Sequence, residues 1–384
     1  MSRSSSQVPR RVLVVDDSAF MRRMVSDVVG SSGEFIVVGT ARDGEDALRQ
    51  VHALNPDIVT LDVQMPGLDG LDALGYIMSE VPRPVVMLSA GGPDGGAEAI
   101  LRALELGAVD FVRKPAGPIS LDLGRVREEL LDALRAASCT NLRGVHVLAR
   151  TQRVQQLESD VAARSLVQPL VQRVVCIAAS TGGPAALTQV IPRLPRDLNA
   201  AVLVVLHMPK GFTASLAQRL HALGPLVVTE AAHGDTLQNG HVYIAPGGLH
   251  MRVARTGNDV RVLLDDGPTE WGVRPAADPL FATAAKVFGA LAVGVVLTGM
   301  GRDGAEGLRL MREVGAIGIV QNHESAVIAG MPVAALNHAG ADFVASLDTV
   351  ARIIADAVAS LEATAASRGR NAAPLVKPSL VGTA

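Results

Sequence analysis

Val174-Val175-Cys176-Ile177-Ala178-Ala179-Ser180-Thr181-Gly182-Gly183 is an apolar run that stops at a small hydroxyl residue followed by two glycines. A strand of a parallel sheet is buried on both faces, so it reads as a continuous apolar run, and its carboxyl end opens on the crevice where open α/β sheets place their chemistry. Ser180 stands at that mouth. Thr181, Gly182 and Gly183, with Pro184 opening the next helix, can aim main-chain N–H groups at an anion forming beside Ser180. Small residues at such a turn also serve close packing or phosphate binding, so the reading rests on what else reaches the same edge.

Two more apolar runs do. Residues 201–206 end in Leu206-His207-Met208-Pro209-Lys210-Gly211, and residues 291–297 run into Thr298-Gly299-Met300-Gly301-Arg302-Asp303-Gly304. Three strand ends thus offer a hydroxyl, an imidazole and a carboxylate, the set needed for an imidazole to take a proton from Ser180 while a carboxylate holds its tautomer. Singly, a strand-end histidine is a common hydrogen-bonding residue and Asp303-Gly304 an ordinary turn. Together they favour catalysis. The order Ser, His, Asp and the lack of a G-x-S-x-G elbow around Ser180 disfavour the α/β-hydrolase superfamily.

The first half repeats the pattern. Residues 12–15, 36–40, 58–61, 85–88 and 111–112 read as strands alternating with amphipathic segments, which predicts βα units on a parallel sheet. Asp16 and Asp17, then Asp62, Ser89 and Lys114, follow four of these strands and should meet on one rim. Any single aspartate there could be a turn or N-cap residue; three clustered carboxylates repel one another unless a cation lies between them. Mg²⁺ is the expected ion, because it takes oxygen ligands.

Size and composition set the outer limits. A chain of 384 residues exceeds a single core, and 48% hydrophobic residues with only 3% aromatic suit parallel sheets covered by helices. A net charge of −3 gives no footprint for nucleic acid, and no apolar run is long enough for membrane insertion. Cys139 and Cys176 are too few for a disulfide framework, and a cytoplasmic location is expected. The predicted fold class is α/β: a flavodoxin-like domain with a five-stranded parallel sheet, then a doubly wound α/β domain. The expected spans are a disordered N-terminus at 1–10, a first domain at 11–137, a linker at 138–170, a catalytic domain at 171–364 and a disordered tail at 365–384.

Residues 11–137 resemble a response-regulator receiver domain, with Leu61-Asp62-Val63-Gln64-Met65-Pro66-Gly67 around the phosphoacceptor position. The resemblance implies phosphorylation at Asp62, Mg²⁺ held by Asp16, Asp17 and Asp62, and contacts to the phosphoryl oxygens from Ser89 and Lys114. Phe111 stands at the aromatic switch position of many receivers. From about residue 171 the chain resembles the chemotaxis protein-glutamate methylesterases, through Ala179-Ser180-Thr181-Gly182-Gly183, His207-Met208-Pro209, Ala245-Pro246-Gly247, Arg274-Pro275, Thr298-Gly299-Met300-Gly301, Asp303-Gly304 and Gly330-Met331-Pro332.

That resemblance implies Ser180 as nucleophile, His207 as general base and acid, Asp303 as orienting carboxylate, and main-chain donors from Thr181 and Met300 at the oxyanion. It implies hydrolysis of glutamate γ-methyl esters on methyl-accepting chemoreceptors with release of methanol, deamidation of receptor glutamines, a chemotaxis histidine kinase as phosphoryl donor, and no cofactor in the esterase domain. Arg274 is a candidate for substrate binding, with a surface ion pair as its plainer role. Ala178, Val273 and Asn322-His323 depart from the commoner pattern, and His250 is expected to be structural. An esterase of a related, non-flagellar signalling system and a phosphorylation-gated binding module with a vestigial site stay open as alternatives.

Overall fold

The computed structural model describes residues 8–90, 96–114, 123–142 and 170–371. Residues 91–95 of the glycine-rich loop after Ser89, most of the expected linker, and residues 1–7 and 372–384 of the expected disordered ends lie outside them.

The first half is a parallel sheet in the order β2-β1-β3-β4-β5, from β1 (Arg10–Val15), β2 (Phe35–Ala41), β3 (Ile58–Asp62), β4 (Val85–Ser89) and β5 (Asp110–Arg113). Helices α1 (Ala19–Gly30), α2 (Gly44–Leu54), α3 (Gly70–Glu80), α4 (Gly96–Glu105) and α5 (Leu123–Ser138) cover it. Ser18, Asp43 and Asp69 start the first three helices by accepting the N–H of Met21, Asp46 and Asp72. The winding reverses between β1 and β3, so the strand ends carrying Asp16, Asp17 and Asp62 flank the switch point.

The second half begins with β6 (Val174–Ala179), α6 (Gly183–Val190), β7 (Ala201–Leu206), α7 (Phe212–Leu223), β8 (Val227–Glu230) and β9 (His241–Ile244). An antiparallel hairpin, β10 (His250–Thr256) with β11 (Asp259–Asp265), follows. Then come α8 (Ala277–Phe288), β12 (Ala292–Val296), α9 (Ala305–Glu313), β13 (Ile317–Gln321), α10 (Gly330–Ala339), β14 (Phe343–Ala345) and α11 (Leu347–Asn371). The sheet is parallel, in the order β14-β13-β12-β6-β7-β9-β8. Every residue of β6, β7 and β12 is buried, which is why these strands read as unbroken apolar runs. With β6 between β12 and β7, the segments carrying Ser180, His207 and Asp303 leave one edge at a switch point.

Two boundaries differ from expectation. Leu291 closes a short 3-10 turn rather than opening β12. Helix α11 passes residue 364, the expected end of the domain, through the helix-favouring Ala365 and Ala366. Among the described residues, no helix is long and apolar enough to cross a membrane.

Candidate active site

His207 follows β7 and donates its main-chain N–H to Ala179 O at 3.2 Å, which fixes it beside the end of β6. Its Nε2 lies 2.7 Å from Asp303 Oδ2. Asp303 is buried and accepts three main-chain N–H groups as well: Ala277 at 2.6 Å, Asp278 at 3.1 Å and Gly304 at 2.9 Å. Ala277 and Asp278 open α8, whose N-cap Ala276 has no side-chain acceptor to offer. Asp303 therefore caps that helix from the turn between β12 and α9, and the helix dipole points its positive end at the carboxylate.

Ser180 is half-buried. Its N–H donates to Thr298 O at 3.0 Å and its carbonyl accepts from Gly183 at 2.6 Å, while among the described residues its Oγ makes no hydrogen bond. Two glycines explain how the turn fits. A Cβ on Gly299 would stand 2.7 Å from Ser180 Cβ and 2.3 Å from Met331 Sδ, so that position must lack a side chain. Gly182 has φ +76°, and a Cβ there would meet Val327 Cβ at 2.8 Å. Gly182→Ala should lower stability by about 2 kcal/mol or more, read as an earlier urea midpoint; an unchanged midpoint would contradict this placement.

Thr298 Oγ1 donates to Thr181 O at 3.0 Å and accepts from Ile328 N at 3.0 Å, pinning the end of β12 to the turn after Ser180. Among the described residues, the main-chain N–H groups of Thr181 and Met300 have no acceptor. Ala178 lies within extended β6, so its methyl meets no positive-φ restriction.

Arg274 is used differently from a free substrate contact. Its Nη1 donates to the carbonyls of Asp266 and Gly267, at 2.6 Å each, so the guanidinium clasps the loop that leads to α8. Buried His250 clasps the same loop, with Nε2 2.9 Å from Pro268 O and Nδ1 accepting from Ala276 N. Asn322 Oδ1 accepts from Ser325 N at 3.1 Å, a local turn role.

In the first domain, oxygens of Asp16, Asp17 and Asp62 lie within 4.8 Å of one another, with Asp16 and Asp62 buried. Lys114 Nζ reaches Asp16 Oδ2 at 2.6 Å and Asp62 Oδ2 at 2.7 Å. Burial pushes the Asp62 carboxyl up from its ordinary value, and the Lys114 ammonium works against that shift. Buried Ser89 accepts the Lys114 N–H at its carbonyl, 2.8 Å away, so the five predicted residues do share one rim. An all-oxygen donor set with two buried carboxylates fits a hard divalent cation.

The two rims touch through β5. Thr181 Oγ1, beside Ser180, donates to Asp110 Oδ2 at 2.9 Å. The Phe111 and Phe212 rings lie 4.9 Å apart, and Arg113 stands over Phe212 while donating to Lys210 O at 3.0 Å. Glu105 of α4 pairs with Arg219 of α7. Burial at this junction pushes the Asp110 carboxyl up.

A family model described as CheB methylesterase matches residues 175–354, and one described as response regulator receiver domain matches residues 12–123. A protein-glutamate methylesterase/protein-glutamine glutaminase of Pyrococcus abyssi is 44% identical over 91% of this chain and 93% of its own length. This chain belongs to the CheB methylesterase family. Proteins of the same description from Symbiobacterium thermophilum and Bacillus subtilis are 47% and 45% identical, covering 92% and 85% of this chain and 98% and 92% of their own. The solved Thermotoga maritima CheB methylesterase catalytic domain is 36% identical, with 49% of this chain and 99% of that one covered and a TM-score of 0.48. In this CheB family member, residues outside the quoted motifs also reach the site. Asp278 ties Asp303 to α9 by accepting Gly307 N at 2.7 Å, and Asp110 arrives from the other domain. Only an acid in the first turn of a helix hinted at Asp278, and nothing local marked Asp110.

Proposed function

We propose that the chain hydrolyses glutamate γ-methyl esters, and deamidates glutamines, on chemoreceptors in the cytoplasm. The observation that carries this reading is the bond between His207 and the buried Asp303, which also caps α8, on the same sheet edge as Ser180. Ser180 Oγ attacks the ester carbonyl as its proton passes to His207; the oxyanion meets the N–H groups of Thr181 and Met300. Collapse breaks the C–O bond, and His207 returns the proton to the departing methanol. Water then attacks the acyl-enzyme by the same route, freeing the glutamate carboxylate. With a glutamine the leaving group is ammonia. Arg274 positions substrate through the loop that it clasps.

Asp62 accepts a phosphoryl group from a histidine kinase, with Ser89 and Lys114 on its oxygens; Asp16, Asp17 and Asp62 would hold Mg²⁺. The ion would neutralise phosphoryl charge. Lys114, which now bridges Asp16 and Asp62, follows directly on the β5 residues that lie against the catalytic turns. Drawing Lys114 to a phosphoryl group therefore loosens the cover over Ser180. Methanol release from methylated receptor membranes should rise on phosphorylation and stay at its resting rate in Asp62→Asn; a rate unmoved in the parent chain would refute the gating.

Asp110 sets the sign of a further expectation. Its carboxyl is shifted up in the docked form, so docking takes up a proton and strengthens as pH falls through that raised value. Asp110→Asn removes the burial penalty and keeps groups that can bond Phe111 N and Thr181 Oγ1. The unphosphorylated methanol-release rate should fall about threefold, a shift near 0.7 kcal/mol; an equal or faster rate would contradict the sign.

A further inference from the structure

Trp271 occupies a position its backbone does not favour. Glu270 and Val273 exchange main-chain hydrogen bonds of 3.1 and 3.0 Å across Trp271-Gly272, and both central residues have positive φ, 55° and 78°. That is the pattern of a type I′ turn, whose first central position suits asparagine, aspartate or glycine. A bulky side chain at positive φ is an outlier that persists when its surroundings hold it. Here the indole is held: Nε1 donates to Asp278 Oδ2 at 2.7 Å, and the Arg302 guanidinium carbon stands 4.5 Å over the ring centroid. Asp278 in turn donates its N–H to Asp303, so the ring is anchored to the neighbour of the catalytic carboxylate.

Trp271 nevertheless remains 49% exposed, and Met300, two residues before Arg302, is 43% exposed. Arg302 is exposed too, and among the described residues it has no carboxylate partner. An aromatic face and a guanidinium with no carboxylate partner among the described residues therefore stand together, tied through Asp278 to the Asp303 that bonds His207, within reach of a polypeptide that brings an ester to this site. The chemistry suits a segment with apolar stems and acidic side chains.

We propose that Trp271 and Arg302 are specificity-determining residues that grip an acidic polypeptide segment flanking the ester. This rests on the esterase reading of Ser180. The full chain has a single tryptophan, so its emission reports on Trp271 alone. The probe is a helical peptide carrying one glutamate γ-methyl ester among glutamates, with a lysine-flanked peptide as comparison, in the presence of Mg²⁺ and beryllofluoride. In Ser180→Ala, the acidic peptide should give a saturable emission change, with half-saturation at least tenfold lower than for the lysine peptide. In the parent chain, Trp271→Ala should raise KM for the acidic peptide about tenfold while kcat changes less. Trp271→Phe, which keeps a ring under Arg302 and loses the bond to Asp278, should recover most of that KM. Methanol release by the parent chain with no emission change, or equal losses of kcat in both Trp271 variants, overturns the inference alone. No methanol release from either peptide overturns the esterase reading and this inference with it.

Discussion

Ser180→Ala should abolish methanol release from methylated receptor membranes, by about 10⁵–10⁶ in kcat on the scale seen when a triad serine is removed. Ser180 is anchored by its main chain, through Thr298 O and Gly183 N, and among the described residues its Oγ bonds to nothing. The variant should therefore fold as the parent does. Asp62 lies in the other sheet, so phosphoryl uptake there should be unaltered. This pairing of outcomes separates the enzyme from a phosphorylation-gated binding module. A module with a vestigial site would lose nothing on the substitution, and residual turnover within about tenfold of the parent rate would exclude Ser180 as the nucleophile, since such a loss is only ~1.4 kcal/mol of barrier.

Asp303→Asn should lower kcat by about 10⁴, because an amide in place of the carboxylate favours the wrong imidazole tautomer and no longer balances the imidazolium formed during attack. The structure adds a second consequence. The Asp303 carboxylate accepts the N–H groups of Ala277, Asp278 and Gly304 besides bonding His207, which makes it the cap of α8 as well as the partner of the base. Asp303→Ala should thus lower kcat and also cost stability, about 1–3 kcal/mol for each buried N–H left without an acceptor. Comparing the variants divides the roles: the asparagine should keep much of the urea midpoint and lose the rate, while the alanine should lose both. An alanine variant as stable as the parent would mean that α8 is capped in some other way.

Much of this site was legible in the order of residues. Strands buried on both faces read as unbroken apolar runs, and a parallel sheet delivers all of its strand ends to one rim, so Ser180, His207 and Asp303 could be placed together although the first and last stand more than a hundred residues apart. The same logic brought Asp16, Asp17, Asp62, Ser89 and Lys114 to the other rim, where Lys114 bridges two of the carboxylates. Arg274 shows where it stops. Its place before Pro275 says nothing of its bonds, and the fold turns its guanidinium onto the carbonyls of its own loop. Trp271 has a related reason to escape a reading of residue order: the direction of its side chain is set by Asp278 and Arg302, which come from later in the chain.

By itself, then, the sequence determined which chemical groups exist and which sheet edge each occupies, because burial on both faces and βα winding are local rules that the parallel strands obey. The tertiary structure alone decided how those groups are used. Thr181 meets Asp110 across 71 positions, and Asp303 caps a helix that starts 26 residues earlier. Such contacts depend on how finished surfaces pack against each other, and that packing is set by the shapes of both partners rather than by any run of residues in either.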